Sequence, residues 1–174
     1  MTGQAKPQAA VRHLSDPVLV MRRLVEQAVR LIPGADGAAV ELLVDGRLRH
    51  VCTTGSLGPF VGTRLDPATS LSGLAPEERH TERCDDTEMD PRVDREACRR
   101  VGSASMICVA LRRGVDPVGV LKGSSRSPGA FGDVDVATLS RLGRLVTTVI
   151  SAARDLSDAA DDLLRGSPGE DRGA

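Results

Sequence analysis

The stretch SASMICVAL, Ser103 to Leu111, decides the fold. It is an unbroken run of small and apolar residues, too short for a typical helix and too apolar for a surface loop. It suits an interior strand covered on both faces. Arg112 to Asp116 is turn material, and PVGVLKGS, Pro117 to Ser124, makes the next strand before Pro128-Gly129 breaks the chain. Upstream, Asp90-Pro91 opens a short helix through Val93, Ala97 and Val101, with Asp90 as its N-cap and Gly102 as its stop. His80 to Asp85 reads as a short strand.

Working towards the amino terminus, SLSGLAPEE (Ser70 to Glu78) reads as a short helix or turn, and Gly55 to Ser70 as loop. Two strand-like runs, AAVELLV (Ala38 to Val44) and RLRHVCTT (Arg47 to Thr54), flank Asp45-Gly46, a strong hairpin signal. A first helix begins at Ser15 or Asp16 with Pro17 in its first turn. It carries Val18, Met21, Leu24, Val25, Ala28, Val29 and Ile32 at helical spacing, and Pro33-Gly34 ends it. Asp133 or Asp135 starts a long last helix. Its apolar stripe runs from Val136 through Leu139, Leu142, Val146, Ile150 and Leu156 to Leu164. The order is helix, hairpin, loop, short strand, helix, two strands, long helix. That is an α+β arrangement, an antiparallel sheet with terminal helices on one face. The domain is expected over residues 15–165, with a lead-in at 1–14 and a disordered tail at 166–174.

Composition excludes several functions. A chain of 174 residues fits one domain with a core of its own. With no Trp, no Tyr and only Phe60 and Phe131, it lacks the stacking platforms of single-stranded nucleic-acid binders. A net charge of −1 offers no basic field for a phosphate backbone, so no nucleic-acid partner is expected. No segment approaches 18 consecutive apolar residues and no basic, then apolar, leader precedes the domain. The expectation is a cytoplasmic protein with reduced thiols and no membrane partner. The four cysteines, Cys52, Cys84, Cys98 and Cys108, form no C-x-x-C pair, so no metal site is assigned. The Arg, Ala, Gly, Val and Asp bias is read as genomic base composition, of bacterial and actinobacterial type.

Four stretches in order carry a resemblance. They are LVEQAVRLIPGADGAAVELL (Leu24 to Leu43), CDDTEMDPRVD (Cys84 to Asp94), GSASMICVAL (Gly102 to Leu111) and PVGVLKGSSRSPGAFGDVDVATLSRL (Pro117 to Leu142). Together the chain resembles a GAF domain over about residues 15–160, with Ala110 where that family usually has proline. The resemblance implies a GAF/PAS-like antiparallel sheet of about six strands, terminal helices on one face and a small-molecule pocket on the other. It also implies a regulatory, signal-transducing role as input to an output domain, such as a cyclic-di-GMP enzyme, a phosphatase or a transcription module. No such output signature occurs in this sequence.

Particular residues bear on each chemistry known in that family. Cyclic-nucleotide-binding members carry an Asn-Lys…Phe…Asp-Glu signature; this chain has no Asn, and Phe131 and Asp135 match only its tail. Bilin members attach the chromophore through a Cys followed by His; Cys98 is followed by Arg99, and aromatics are lacking. His80 is the candidate axial ligand for haem, against the commoner surface role of a lone His. The free methionine sulfoxide reductases keep a Gly-Val-Cys element that would fall near Ser72-Gly73-Leu74, where no Cys stands. Cys84 and Cys98 sit near the positions where that family keeps its other thiols, with Arg83, Arg95 and Arg99 near in sequence to lower a thiol pKa. The bland reading makes these cysteines small hydrophobes. The acidic cluster Asp85, Asp86, Glu88, Asp90 and Asp94 fits no EF-hand and reads as solvated loop charge. The cofactor is left unknown.

The resulting expectation is a non-catalytic GAF sensor binding a small ligand or sensing a redox change. Its first and last helices pair in a homodimer that signals to an output domain or partner protein. The alternatives are a methionine-sulfoxide-reductase-like enzyme using Cys84 and Cys98, and a ligand-free dimerisation module. By resemblance the ligand lies under the segment Cys84 to Val101, with Cys84, Asp86, Arg92 and Cys98 at its rim or roof and Ser105 and Ile107 on its floor.

Overall fold

The structure, a computed structural model, describes residues 16–78 and 81–166. The lead-in expected at 1–14 and nearly all of the tail expected at 166–174 lie outside these residues. Helix α1 (Pro17–Leu31) is capped by Asp16, whose carboxylate accepts from the Val18 and Leu19 amides. Strands β1 (Gly37–Val44) and β2 (Arg47–Gly55) form the expected hairpin. Asp45 and Gly46 turn it at φ of 51° and 72°, the paired left-handed conformation that an Asp-Gly turn tolerates. The predicted loop from Gly55 holds two short 3-10 turns and a two-residue strand β3 (Arg64–Leu65). Then come α2 (Leu71–Glu78), β4 (Thr81–Cys84), α3 (Arg95–Val101), β5 (Ser105–Arg113), β6 (Asp116–Ser125) and α4 (Asp133–Gly166).

The six strands form one antiparallel sheet in the order β3-β2-β1-β6-β5-β4. Strand β5 is interior, paired to β6 on one side and β4 on the other. On one face, Met21, Val25 and Ala28 of α1 and Leu139, Leu142, Val146 and Ile150 of α4 pack against Val40, Ile107, Val109 and Leu111. Each such aliphatic side chain contributes about 1.5–3 kcal/mol when fully buried. On the other face, Leu71 and Ala75 of α2 and Cys98 of α3 pack with Leu48, Cys84, Met106, Cys108 and Val120. No described helix is long and apolar enough to cross a membrane.

One cap differs from expectation. The helix assigned to Asp90 begins four residues later, with Asp94 accepting from the Ala97 amide. Asp90 is otherwise engaged: its carboxylate takes the Arg92 amide at 2.9 Å and both Nε and Nη2 of the Arg92 side chain. Gly102, at φ 67°, stops the helix as expected.

Candidate functional site

The sheet face opposite the terminal helices floors a cavity of about 440 Å³. Its walls are the chain from Leu57 to Leu65, the start of α2 at Ser70 to Ser72, Val93 ahead of α3, and the inner side of α3 at Ala97, Cys98 and Val101. Its lining is mainly apolar, with Phe60 as the aromatic contribution. A cleft of this size and lining suits a small organic ligand.

Three adjacent strands place charged or titratable side chains beneath this cavity. Glu41 on β1 is opposite His50 on β2, and Lys122 lies on β6, the other neighbour of β1. A register shift between Val40 and Glu41 sits beside the pair. It leaves His50 on the cavity side while Cys52, two residues on, packs under α1. Such a bulge re-aims side chains within a strand. Glu41 is fully buried, and His50 and Lys122 are 3% and 8% exposed. His50 Nε2 lies 3.0 Å from Glu41 Oε1, and Nδ1 lies 3.1 Å from the Phe60 carbonyl oxygen. Both partners are acceptors, and the tautomer decides which ring nitrogen donates.

Lys122 Nζ stands 4.0 Å from Glu41 Oε1. Burial opposes the charge on Lys122, yet the Glu41 carboxylate and neighbouring thiols hold its pKa above the ordinary lysine value. Burial likewise opposes ionisation of Glu41, but the His50 bond and the Lys122 charge outweigh it and keep the carboxyl below its ordinary value. Glu41 Oε2 is buried without a hydrogen bond; Ser72 is close enough to favour the carboxylate but short of bonding geometry. Lys122 and His50 line the cavity.

The residues expected at the site are distributed differently. Cys98 lines the cavity. Cys84 is fully buried in the same apolar cluster. Asp86 accepts from the Glu88 amide at 2.9 Å and shapes the loop after β4; like Cys84 and Arg92, it does not line the cavity, contrary to expectation. Arg92 pins that loop, donating to Glu82 at 2.7 Å, to the Arg83 carbonyl at 2.9 Å and to Asp90 at 2.6 Å. Ser105 is a correction: it does not line the cavity but donates to the Ser127 carbonyl at 2.7 Å. Ile107 is a correction: it packs beneath the terminal helices, and Met106, one residue earlier, lines the cavity. Alternation along β5 decides this, and a run apolar on both faces hides the phase. Glu41, His50 and Lys122 escaped the sequence reading. Their signal was a charge inside otherwise apolar strands, AAVELLV and PVGVLKGS.

The acidic cluster is spent on the loop itself. Arg83 pairs with Asp85 at 3.2 Å, Arg99 holds Glu88, and Asp90 and Asp94 make the contacts given above. Among the described residues no group of three or more His, Cys, Asp or Glu side chains is arranged to hold a metal ion. His80, the haem candidate, lies outside the described residues. Asp90 has its pKa held down at about 2, chiefly by the Arg92 hydrogen bonds. A depressed carboxyl adds stability above its unfolded value near 4, and that stability is lost as pH falls through about 2. Acid titration followed by circular dichroism should therefore show wild type losing stability between about pH 4 and pH 2 more steeply than Asp90→Asn; parallel curves would refute the pairing.

The thiols lie in a quieter environment than the neighbouring arginines suggest. Burial pushes the pKa of Cys84 up to about 12, helped by the Asp90 charge, and that of Cys108 to about 12. Cys98 is also raised, again by burial.

The family model for the GAF domain matches residues 16–151, and the chain belongs to that family. None of the curated proteins matches it. Among solved structures it is similar to the GAF domain of a phosphoenolpyruvate-protein phosphotransferase from Coxiella burnetii, with 18% identity, TM-score 0.74, and 87% of this chain and 92% of that one covered. It is also similar to free methionine-R-sulfoxide reductase from Neisseria meningitidis, solved with its substrate, with 20% identity, TM-score 0.71 and 86% of each chain covered. A third is the GAF-B domain of DevS from Mycobacterium smegmatis, with 18% identity, TM-score 0.65, and 83% and 99% covered. At these identities the likeness is one of fold.

Proposed function

We propose that this chain is a non-catalytic sensor: a small ligand binds between the sheet and the α2–α3 roof, and the terminal helices pass the change to an output. The observation that carries the reading is the roughly 440 Å³ cavity with a buried cation at its floor, on the face opposite the helices. Filling it with Ala97→Trp should abolish any ligand-induced rise in melting temperature while leaving the fold intact by circular dichroism. An unchanged rise would place the ligand elsewhere.

Transmission rests on the helices. At about 1.5 Å per residue, the 34 residues of α4 extend about 51 Å, well beyond a typical strand. The first half is buried on the sheet, while Leu145 and Leu156 of α4 and Val18 and Leu31 of α1 stay exposed. A second copy of the chain covering these positions in a two-fold helical bundle is the partner this reading requires. By sedimentation, the intact chain should be dimeric at tens of micromolar and a version ending at Arg154 should dissociate more readily. A monomeric intact chain, or equal dimerisation of both, would remove the overhang from the account.

Against the reductase alternative stand the thiols, which are buried and protonated at neutral pH, whereas attack on a sulfoxide requires a thiolate or an activated thiol. None of the four thiols should react with a disulfide reagent within minutes at pH 7.4, and free methionine sulfoxide should not turn over with thioredoxin. Turnover abolished by Cys84→Ser or Cys98→Ser would reverse the assignment.

A further inference from the structure

We infer that the cavity takes a small organic acid with a compact aliphatic body, its carboxylate received by Lys122 Nζ. The inference rests on the sensor reading above and names the ligand class that reading leaves open. Three observations carry it.

The first is the state of Lys122. This side chain is nine-tenths buried and lines the cavity. Its ammonium has three hydrogens to donate. Among the described residues its one ionic partner is Glu41, at 4.0 Å, beyond hydrogen-bonding distance. The ammonium opens to the cavity without a protein hydrogen bond, and an acceptor entering there would gain a charge-assisted bond from it.

The second is the division of Glu41 between two partners. Its Oε1 lies 3.0 Å from His50 Nε2 and 4.0 Å from Lys122 Nζ, so the carboxylate is bonded to the imidazole and only faces the ammonium. A ligand carboxylate gives Lys122 an acceptor of its own, which an amide does more weakly and a cation not at all. Of the other charged side chains in the lining, Asp66 is paired with Arg47 and Arg100 with Glu96.

The third is the rest of the lining. Leu65, Leu71, Val93 and Met106 face the ligand, with Phe60 as the aromatic neighbour. This suits a branched or straight aliphatic body and offers no pair of rings to clamp a planar one. Ser70 and Ser72 stand beside the floor and can serve a second polar group near the head.

The test uses the whole chain with methyl-labelled Leu, Val and Met, and three probes of one shape: 4-methylpentanoic acid, its amide, and 3-methylbutyl phosphate. Shifts at Leu65, Leu71 and Met106 report occupancy of the cavity. A charge-assisted hydrogen bond to a buried partner is worth a preference of about tenfold or more. The acid should therefore bind at least about tenfold tighter than the amide, and tighter than the phosphate. Lys122→Met leaves Glu41 paired with His50, so the fold should persist. In it the acid should fall to the affinity of the amide, and Lys122→Arg should restore the preference.

Equal binding of acid and amide to the wild-type chain would overturn the assignment of an acid while leaving the cavity as a ligand site. Tighter binding of the phosphate would replace the carboxylate by a phosphoryl head. No shift at these methyls with any of the three probes would overturn both this inference and the reading beneath it. The wild-type comparison decides even if a variant fails to fold.

Discussion

Glu41→Ala should cost the domain about 3–5 kcal/mol, a large share of the total stability of a domain this size. Removing the carboxylate leaves the buried Lys122 without its one ionic partner among the described residues. It also takes away the acceptor that His50 Nε2 meets at 3.0 Å. Guanidinium unfolding should show a fall in midpoint at unchanged slope. The triple replacement Glu41→Leu, His50→Leu and Lys122→Met should recover most of that loss, because well-packed apolar residues often equal or exceed a buried ion cluster in stability. That contrast separates two roles. If the trio exists for binding, the triple variant is stable and blind to anions. A Glu41→Ala variant within about 1 kcal/mol of wild type would mean the charges are neutralised or wetted in solution.

Gly73→Cys is expected to lower stability by about 3 kcal/mol, or the melting temperature by about 6–12 °C. A Cβ at position 73 would sit 1.9 Å from the Pro67 carbonyl oxygen and 2.4 Å from its carbon. Both are backbone atoms of the turn that leads into α2, and that turn must move for any side chain to fit. Reductase resemblance places a thiol near this position. The close approach shows why this chain cannot carry one there without rebuilding the wall of its cavity. Differential scanning calorimetry checks the prediction; a change of less than about 1 °C would mean the turn yields freely. The variant should also gain no sulfoxide reduction.

Much of the fold was legible because local chemistry and global pattern agree. Asp16-Pro17 capped α1, Asp45-Gly46 turned the hairpin, and the stripe from Leu139 to Ile150 became the buried face of α4. The cap at Asp90 misled because two aspartates, Asp90 and Asp94, both precede α3. Only the structure shows that Arg92 draws the first of them into a loop pin. The pocket floor misled for another reason. Ser103 to Leu111 is apolar throughout, so period cannot tell Ile107 from Met106. The charged trio was hidden by topology. Residues 41, 50 and 122 come together because β1 lies between β2 and β6, an order that hydropathy does not encode. The arginines near the thiols misled as well: Arg83 and Arg99 are turned to Asp133 and Glu88 rather than to sulfur.

The central claim is that a small molecule occupies the cavity between the sheet and α3. Native mass spectrometry of the intact chain, purified gently from its own host and compared with the denatured chain, tests it most directly. The account predicts an added mass of a few hundred daltons or less that is lost on denaturation and absent from Ala97→Trp. Identical native and denatured masses, or an added mass that Ala97→Trp retains, would contradict it.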